Sequence, residues 1–503
     1  MVRTYIQVAL SREEGSGFVH DTPTQARTTG VVAVLALAGT TAAIMQTLVT
    51  PLLPRLPDLL DTTPGNATWV ITVTLLVSGV CVPVSGRLGD LFGKRRMMLA
   101  CLVPLIVGSL VCAVAPGLAM MLVGRSLQGM GMGMLPLGIA LLRDVVPKER
   151  LSSSIALVSA SMGIGSALGL PLSAGVAQYV SWRSLFWGAA VLATVIALLV
   201  RTVVPNVPAQ AGGQRFDGPG ALGLGAGLVC LLLAVSKGAD WGWGSTTTLG
   251  CFAGAVVLFL CWGWWELRTR DPLIDLRSTA RPRVLLTNIA AIFTSFAMYA
   301  SMLVMPQLLQ LPKATGYGLG QSLLHSGLWM APGGVMMMLI SPLGGKLTDA
   351  KGPKCTLLCG GFVIALGYVV SLALMGAPWG ITLAMMVING GVGFAYGAFP
   401  ALIMSSVRQS ETGAANGFNT LMRSLGTTIG AAVMGVLLAQ MTTTFGGETL
   451  TSQGGFRTGL LVGCGMAVVS MAVAAAIPAV RAKADAEQDG AAEDGTPQVA
   501  ARA

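Results

Sequence analysis

Gly86–Leu99 reads GRLGDLFGKRRMML, and Gly345–Leu358 reads GKLTDAKGPKCTLL. At an offset of 259 residues Gly86 meets Gly345, Arg87 meets Lys346, Leu88 meets Leu347, Asp90 meets Asp349 and Gly93 meets Gly352. Each copy follows one long apolar run and leads into another. A fainter echo comes later: Gly131 and Gly133 against Gly391 and Gly393, then Glu149 against Glu411, at offsets of 260 to 262. Two copies in the same relation to their flanking runs imply parallel halves related by an axis along a membrane normal.

Working outward from these loops, apolar runs fill the chain: 31–53, 69–86, 97–115, 119–142, 154–178, 184–203, 219–236, 249–265, 284–310, 322–344, 355–376, 380–406, 417–440 and 459–480. A helix needs about 20 residues to cross a hydrocarbon core of about 30 Å. The expected fold is therefore an all-α integral membrane protein of fourteen transmembrane helices. An N-tail (1–30) precedes a six-helix bundle (31–203), and an inserted two-helix hairpin (219–266) follows it. A second six-helix bundle (284–480) and a disordered tail (481–503) complete the chain. The whole sequence is 53% hydrophobic and 10% charged, with mean hydropathy +0.73. Soluble domains carry nearer 25% charge, so lipid is the expected solvent.

Charge fixes the orientation. With both termini on one side, the loops of that side hold 24 of the 31 Lys and Arg residues, the opposite loops hold 5, and Arg125 and Arg423 lie within runs. Cationic loops stay cytoplasmic, so both termini are expected in the cytoplasm of a cell-membrane protein. The net charge of +10 is thus topological and does not point to nucleic acid. Trp241, Trp243, Trp262, Trp264 and Trp265 stand at run ends, where indoles anchor at headgroup depth. Most of the nine cysteines lie within apolar runs and read as packing residues.

Gly86–Arg96 resembles the signature loop of the major facilitator superfamily. Arg125–Gly133 (RSLQGMGMG) is similar to a second motif of that superfamily. Gly165–Gly175 (GSALGLPLSAG) resembles the glycine-proline motif of its drug:proton antiporters. Fourteen runs with a central hairpin match the fourteen-helix branch of those antiporters. The resemblance implies a multidrug efflux antiporter: a small-molecule substrate, export by alternating access, a proton gradient as the energy source, no cofactor and a functional monomer. Here the motif's proline, Pro171, comes one position late, and Ala174 replaces a glycine.

Read physically, Asp90 beside Lys94, Arg95 and Arg96, with Gly86 and Gly93 allowing close helix approach, is a charge cluster suited to a gate. Asp349 is its second copy. Arg125 lies deep enough in its run that a guanidinium there must face the bundle interior or a wet cavity, with Gln128 a turn away. Gly165, Gly169, Pro171 and Gly175 let their helix bend and pack closely. Candidate pocket residues are Gln46, Thr50, Asn288, Phe296, Tyr299, Gln307, Asn389 and Tyr396, polar or aromatic positions within runs.

Many relatives of the resembling branch carry an aspartate in the first run, where Met45 stands here. No Asp or Glu lies deep in any run. Arginine does not titrate, so either a carboxylate at a span end carries the proton, the substrate does, or transport is uncoupled. A pocket with Arg125 and no acid favours neutral or anionic lipophilic compounds. A dedicated single-metabolite exporter, an importer or a facilitator are the alternatives within transport. The sequence has no phosphate-binding G-x-x-x-x-G-K-[ST], no clustered titratable groups of an enzyme and no attached sensor domain.

Overall fold

The computed structural model describes residues 25–478 apart from 50–51, 53–55, 63, 68, 210–213 and 446–447. The expected disordered tail and most of the N-tail lie outside the described residues. Fifteen long helices follow in order: α1 Gln25–Thr47, α2 Trp69–Phe92, α3 Lys94–Ala113, α4 Leu118–Gly131, α5 Met134–Val145, α6 Lys148–Tyr179, α7 Trp182–Val203, α8 Gly218–Trp241, α9 Thr246–Arg268, α10 Pro282–Gln310, α11 Leu323–Lys351, α12 Pro353–Leu374, α13 Pro378–Met404, α14 Thr412–Gln440 and α15 Gln453–Ala475. In hydrocarbon each backbone polar group must be satisfied within its own segment, which leaves helices as the solution for apolar runs of this length.

Local signals set the ends. Ser181, Asp217, Ser245, Ser322 and Ser452 cap α7, α8, α9, α11 and α15 by accepting backbone N–H bonds. Gly93 (φ 99°) and Gly352 (φ 85°), paired in the repeat, adopt backbone angles that L side chains avoid and separate α2 from α3 and α11 from α12.

Among the described residues, thirteen helices are long and apolar enough to cross a membrane. The expected fourth span, 119–142, is instead α4 and α5 set end to end. Met132 and Gly133 between them keep right-handed helical angles. The Met132 N–H bonds back three residues to Gly129 rather than four, a local tightening of the turn. Two features differ from expectation. The first helix begins at Gln25 rather than residue 31, and a small antiparallel hairpin, β1 Thr442–Phe445 with β2 Glu448–Thr451, joins α14 to α15.

One apolar core is built chiefly from helices before residue 205, with Met404 of α13 added, and contains Leu35, Leu102, Leu137 and Phe186. A second is built chiefly from α10 to α15 around Met305, Tyr368, Phe399 and Phe456. The α8–α9 hairpin rests on a third cluster, in which Leu224, Leu228 and Trp262 meet Leu421 of α14 and Val80 and Val84 of α2. It therefore covers the line where α2 and α14 touch.

Small residues bring the two cores together. A Cβ on Gly334 of α11 would sit 2.4 Å from the Gly163 carbonyl of α6, and one on Gly345 would sit 2.4 Å from the Ser153 Cα. On α2, a Cβ on Gly86 would sit 2.4 Å from the Gly413 carbonyl oxygen of α14. Gly86–Gly413 and Gly345–Ser153 are repeat-related contacts, one on each side of the molecule.

Candidate functional site: a latch and an intramembrane seam

At the loop end of α2, Asp90 lies beside Lys94, Arg95 and Arg96 in sequence but forms no ion pair with them among the described residues. Its carboxylate accepts the backbone N–H groups of Gly413 and Ala414, each at 2.9 Å, at the start of α14. A helix N-terminus carries partial positive charge and free N–H donors, so a buried carboxylate there is stabilised without a basic partner. The absence of side chains on Gly86 and Gly413 is what permits the approach.

Lys94 turns the other way. Its ammonium bonds Asp144 of α5 at 2.6 Å, both side chains being nearly inaccessible, and reaches the Ala140 carbonyl at 3.3 Å. Asp144 also accepts from Gln409 at 3.1 Å. Arg143 donates to the Val407 carbonyl (3.3 Å) and the Thr412 hydroxyl (3.0 Å). Arg87 bonds Gln214 at 3.0 Å, Arg95 bonds the Arg201 carbonyl, and Arg96 is exposed. The result is a latch: Asp90, Arg143 and Asp144 of the first core hold residues 407–414 leading into the second. Arg143 and Asp144 went unassigned from sequence, and their only signal there was position at a run's end.

The second copy is not latched. Gly345 packs against Ser153, but Asp349 is exposed and has no hydrogen bond or ion pair among the described residues. Beside the latch a cleft of about 180 Å³ is lined by Arg87, Glu266, Asp275, Asn288, Arg408 and Glu411 among others. Glu266 is buried, accepts from the Leu273 N–H through Oε2 and leaves Oε1 without a hydrogen-bond partner. Asp217 stands close by, since a Cβ on Gly220 would meet both carboxylates within 3.0 Å. Trp262 is buried in the hairpin, whereas Trp265 stays exposed while donating its indole N–H to Asp217 at 3.1 Å.

Deeper in the first core, Arg125 is 1% exposed. Its guanidinium bonds the Val70 carbonyl (3.1 Å), the Met45 carbonyl (3.4 Å) and Gln128 Oε1 (2.7 Å), and Gln128 in turn donates to Ser109 (2.8 Å). The cation is thus held by neutral acceptors of the protein itself, one of them the backbone at Met45. Along α6, Gly165 and Gly169 press on Thr40 and Thr47 of α1. Pro171 lies near Gly327 of α11, and Gly175 has open space beside it.

The proposed pocket residues separate. Gln46 and Gln307 are exposed, Gln46 reaching only the Met132 sulfur at 3.9 Å. Thr50 lies outside the described residues. Asn389 bonds the Met385 carbonyl of its own helix (3.0 Å), Phe296 is core against Gly430, and Tyr299 is half-buried. Asn288 accepts from Asn419 of α14 at 2.9 Å. Tyr396 alone meets charge: the Arg423 guanidinium lies 3.5 Å from its ring centroid. Arg423 was counted within a run but given no role. Its depth in a run, shared with Arg125, was the available signal.

The sequence matches the profile of the Major Facilitator Superfamily over residues 35–431. Among its relatives, the uncharacterized MFS-type transporter YhcA of Bacillus subtilis (strain 168) is 28% identical over 64% of this chain and 59% of its own length. The multidrug transporter protein MdtP of the same organism is 26% identical over 74% of this chain and 68% of its own. A probable actinorhodin transporter of Streptomyces coelicolor is 28% identical over 73% and 65%. The chain therefore spans about three fifths of the length of YhcA. Among solved structures, the human organic anion transporter MFSD10 superposes with TM-score 0.64 at 16% identity, over 89% of this chain and 99% of its own, a likeness of fold. With a family profile spanning most of its length and a fold shared with a solved transporter, the chain belongs to the Major Facilitator Superfamily.

Proposed function

We propose that this chain is a secondary transporter that exports lipophilic small molecules, with the bundles 31–203 and 284–480 rocking about the seam between them. The observation that carries the reading is the latch. Five hydrogen bonds from Asp90, Arg143 and Asp144 tie the two cores at one end of the molecule. The repeat-related end of α11 has no such bond from Asp349. A polar junction between two halves that otherwise meet through small residues is a place where rocking can part them, as alternating access requires. The Lys and Arg asymmetry supports a cytoplasmic latch, and the chain works as a monomer in the cell membrane. The printed names of MdtP, a multidrug transporter, and of the probable actinorhodin transporter support drugs or another organic small molecule as the cargo.

Coupling is by proton antiport. Glu266, buried, half-satisfied and beside Asp217, is the titratable group best suited to carry the proton. Expression in an efflux-deficient host should lower accumulation of a fluorescent lipophilic substrate, and a protonophore should restore it. Glu266→Gln should retain downhill flux while losing the dependence on the proton gradient. Accumulation unchanged by the wild-type chain across a substrate panel would end the reading.

A further inference from the structure

Arg423 stands eleven residues into α14, about 17 Å along the helix at 1.5 Å per residue, which is mid-bilayer depth. Its side chain is 7% exposed. A guanidinium has five N–H donors and no acceptor. Here the face stacks on Tyr396, one terminal nitrogen reaches the Met162 sulfur at 3.9 Å, and Nε has no hydrogen-bond partner. None of the ion pairs among the described residues includes it. Arg125, the other cation deep in a run, is by contrast bonded through Nε and one terminal nitrogen to two carbonyls and Gln128. A charge removed from water with its donors unmet is costly. An acceptor that meets those donors therefore binds with more than ordinary advantage.

The position of this unmet cation is as informative as its chemistry. Arg423, Tyr396 and the Ser295 and Met298 side chains around the Tyr396 hydroxyl (3.4 and 3.2 Å) belong to the second core. Met162 belongs to α6 of the first. The site thus lies on the seam that rocking would open. Its other walls are thioethers and a phenol ring, which suit an apolar or aromatic body.

We propose that Arg423 and Tyr396 form an anion-recognition site for the transported molecule, whose substrate class is a lipophilic organic anion, a carboxylate or ionised phenol on an apolar body. The guanidinium takes the anionic group, Tyr396 holds the guanidinium flat and packs against the apolar part, and Met162 acts as a neutral placeholder when no substrate is bound. Permanent cations are disfavoured, because no carboxylate offsets the field of Arg423. This inference rests on the transporter reading for its biological meaning, but binding can be measured apart from transport.

The test is equilibrium binding to the purified full chain in lipid nanodiscs, using 2-naphthoate, its neutral analogue 2-naphthamide and the cation tetraphenylphosphonium. The wild type should bind naphthoate at least tenfold tighter than the amide and should not bind the cation measurably. Arg423→Gln should abolish that discrimination while amide binding stays as it was, and Arg423→Lys should restore part of it. Met162→Glu places a carboxylate against the guanidinium and should block naphthoate even if the Arg423 variants fail to fold. Equal affinity for naphthoate and amide in the wild type, or discrimination that survives in Arg423→Gln or Met162→Glu, would overturn the site. Export of neutral dyes with no anion preference would sink the site and leave the transporter standing. Arg423-dependent binding without flux in proteoliposomes would sink the transporter and leave the site.

Discussion

Asp90 and Asp349 hold equal places in the repeat, yet only Asp90 meets the start of a helix in the other core. That bond rests on two charge-assisted backbone contacts, each worth roughly 1.5–3 kcal/mol, with the helix dipole adding up to about 2 kcal/mol. Asp90→Ala should therefore weaken the latched state and slow transport more than tenfold with expression intact, while Asp90→Asn, which keeps one neutral acceptor, should be milder. Wild-type rates in proteoliposomes from both variants would remove Asp90 from the mechanism. Lys94 and Asp144 make a different prediction, because their ion pair is buried at 3% and 2% side-chain exposure. Lys94→Met should lower thermal stability by about 3–5 kcal/mol by stranding a buried carboxylate, and Lys94→Met with Asp144→Leu should recover most of it. A double variant as unstable as the single one would show that Lys94 acts by packing alone. The loop itself singles out Asp90 and Lys94 as candidates; their partners, Asp144 among them, were not legible there. Gly413 and Ala414 contribute backbone N–H groups some 323 residues away, and no side-chain pattern marks a backbone donor.

At the scale of elements, apolar length and charge carried nearly all the information. Thirteen runs are single helices, and the paired glycines Gly93 and Gly352 break them where the repeat places them. The fourth run escaped because Met132 and Gly133 are as apolar and small as their neighbours; only the hydrogen-bond pattern shifts there. The β1–β2 hairpin escaped because four-residue threonine-rich strands are too short for periodicity to register. Packing surfaces were hidden in a graded way, and the glycines of α6 show it. A Cβ at Gly165 would fall 2.2 Å from the Thr40 carbonyl, one at Gly169 would fall 2.0 Å from the Thr47 hydroxyl, and one at Gly175 meets nothing within 4 Å. Backbone cannot yield, whereas a hydroxyl can rotate away. Gly165→Ala should thus cost about 1–3 kcal/mol of stability, Gly169→Ala much less, and Gly175→Ala nothing measurable. Thermal unfolding of the three variants in one detergent checks the order, and equal losses at all three would mean that helix flexibility, not the α1 contact, explains these glycines.

For the whole molecule, the decisive arrangement is that two separate cores meet through glycine-rich helix pairs and a polar latch, with the α8–α9 hairpin laid over the α2–α14 line. Apolar cores deform little, so motion between them falls on the contacts that are polar or few. Leu421 is buried against Leu224 and Leu228 of the hairpin while sharing α14 with Gly413 of the latch, so opening the latch must slide α14 under the hairpin. If transport needs that opening, a tether across the latch should stop it. Arg143 and Thr412 touch side chain to side chain at 3.0 Å, one from each core. In a chain whose nine native cysteines are replaced, Arg143→Cys with Thr412→Cys gives up two of the five latch bonds and should keep a lower but measurable flux when reduced. Joined by a short thiol-reactive cross-linker, it should lose nearly all flux, and it should regain it when a cleavable linker is cut. Substrate binding should survive the tether, since the Arg423 site lies far along α14 from residue 412. Undiminished flux through the cross-linked protein would mean that the cores do not part at this end, and the latch would then be a fixed structural joint.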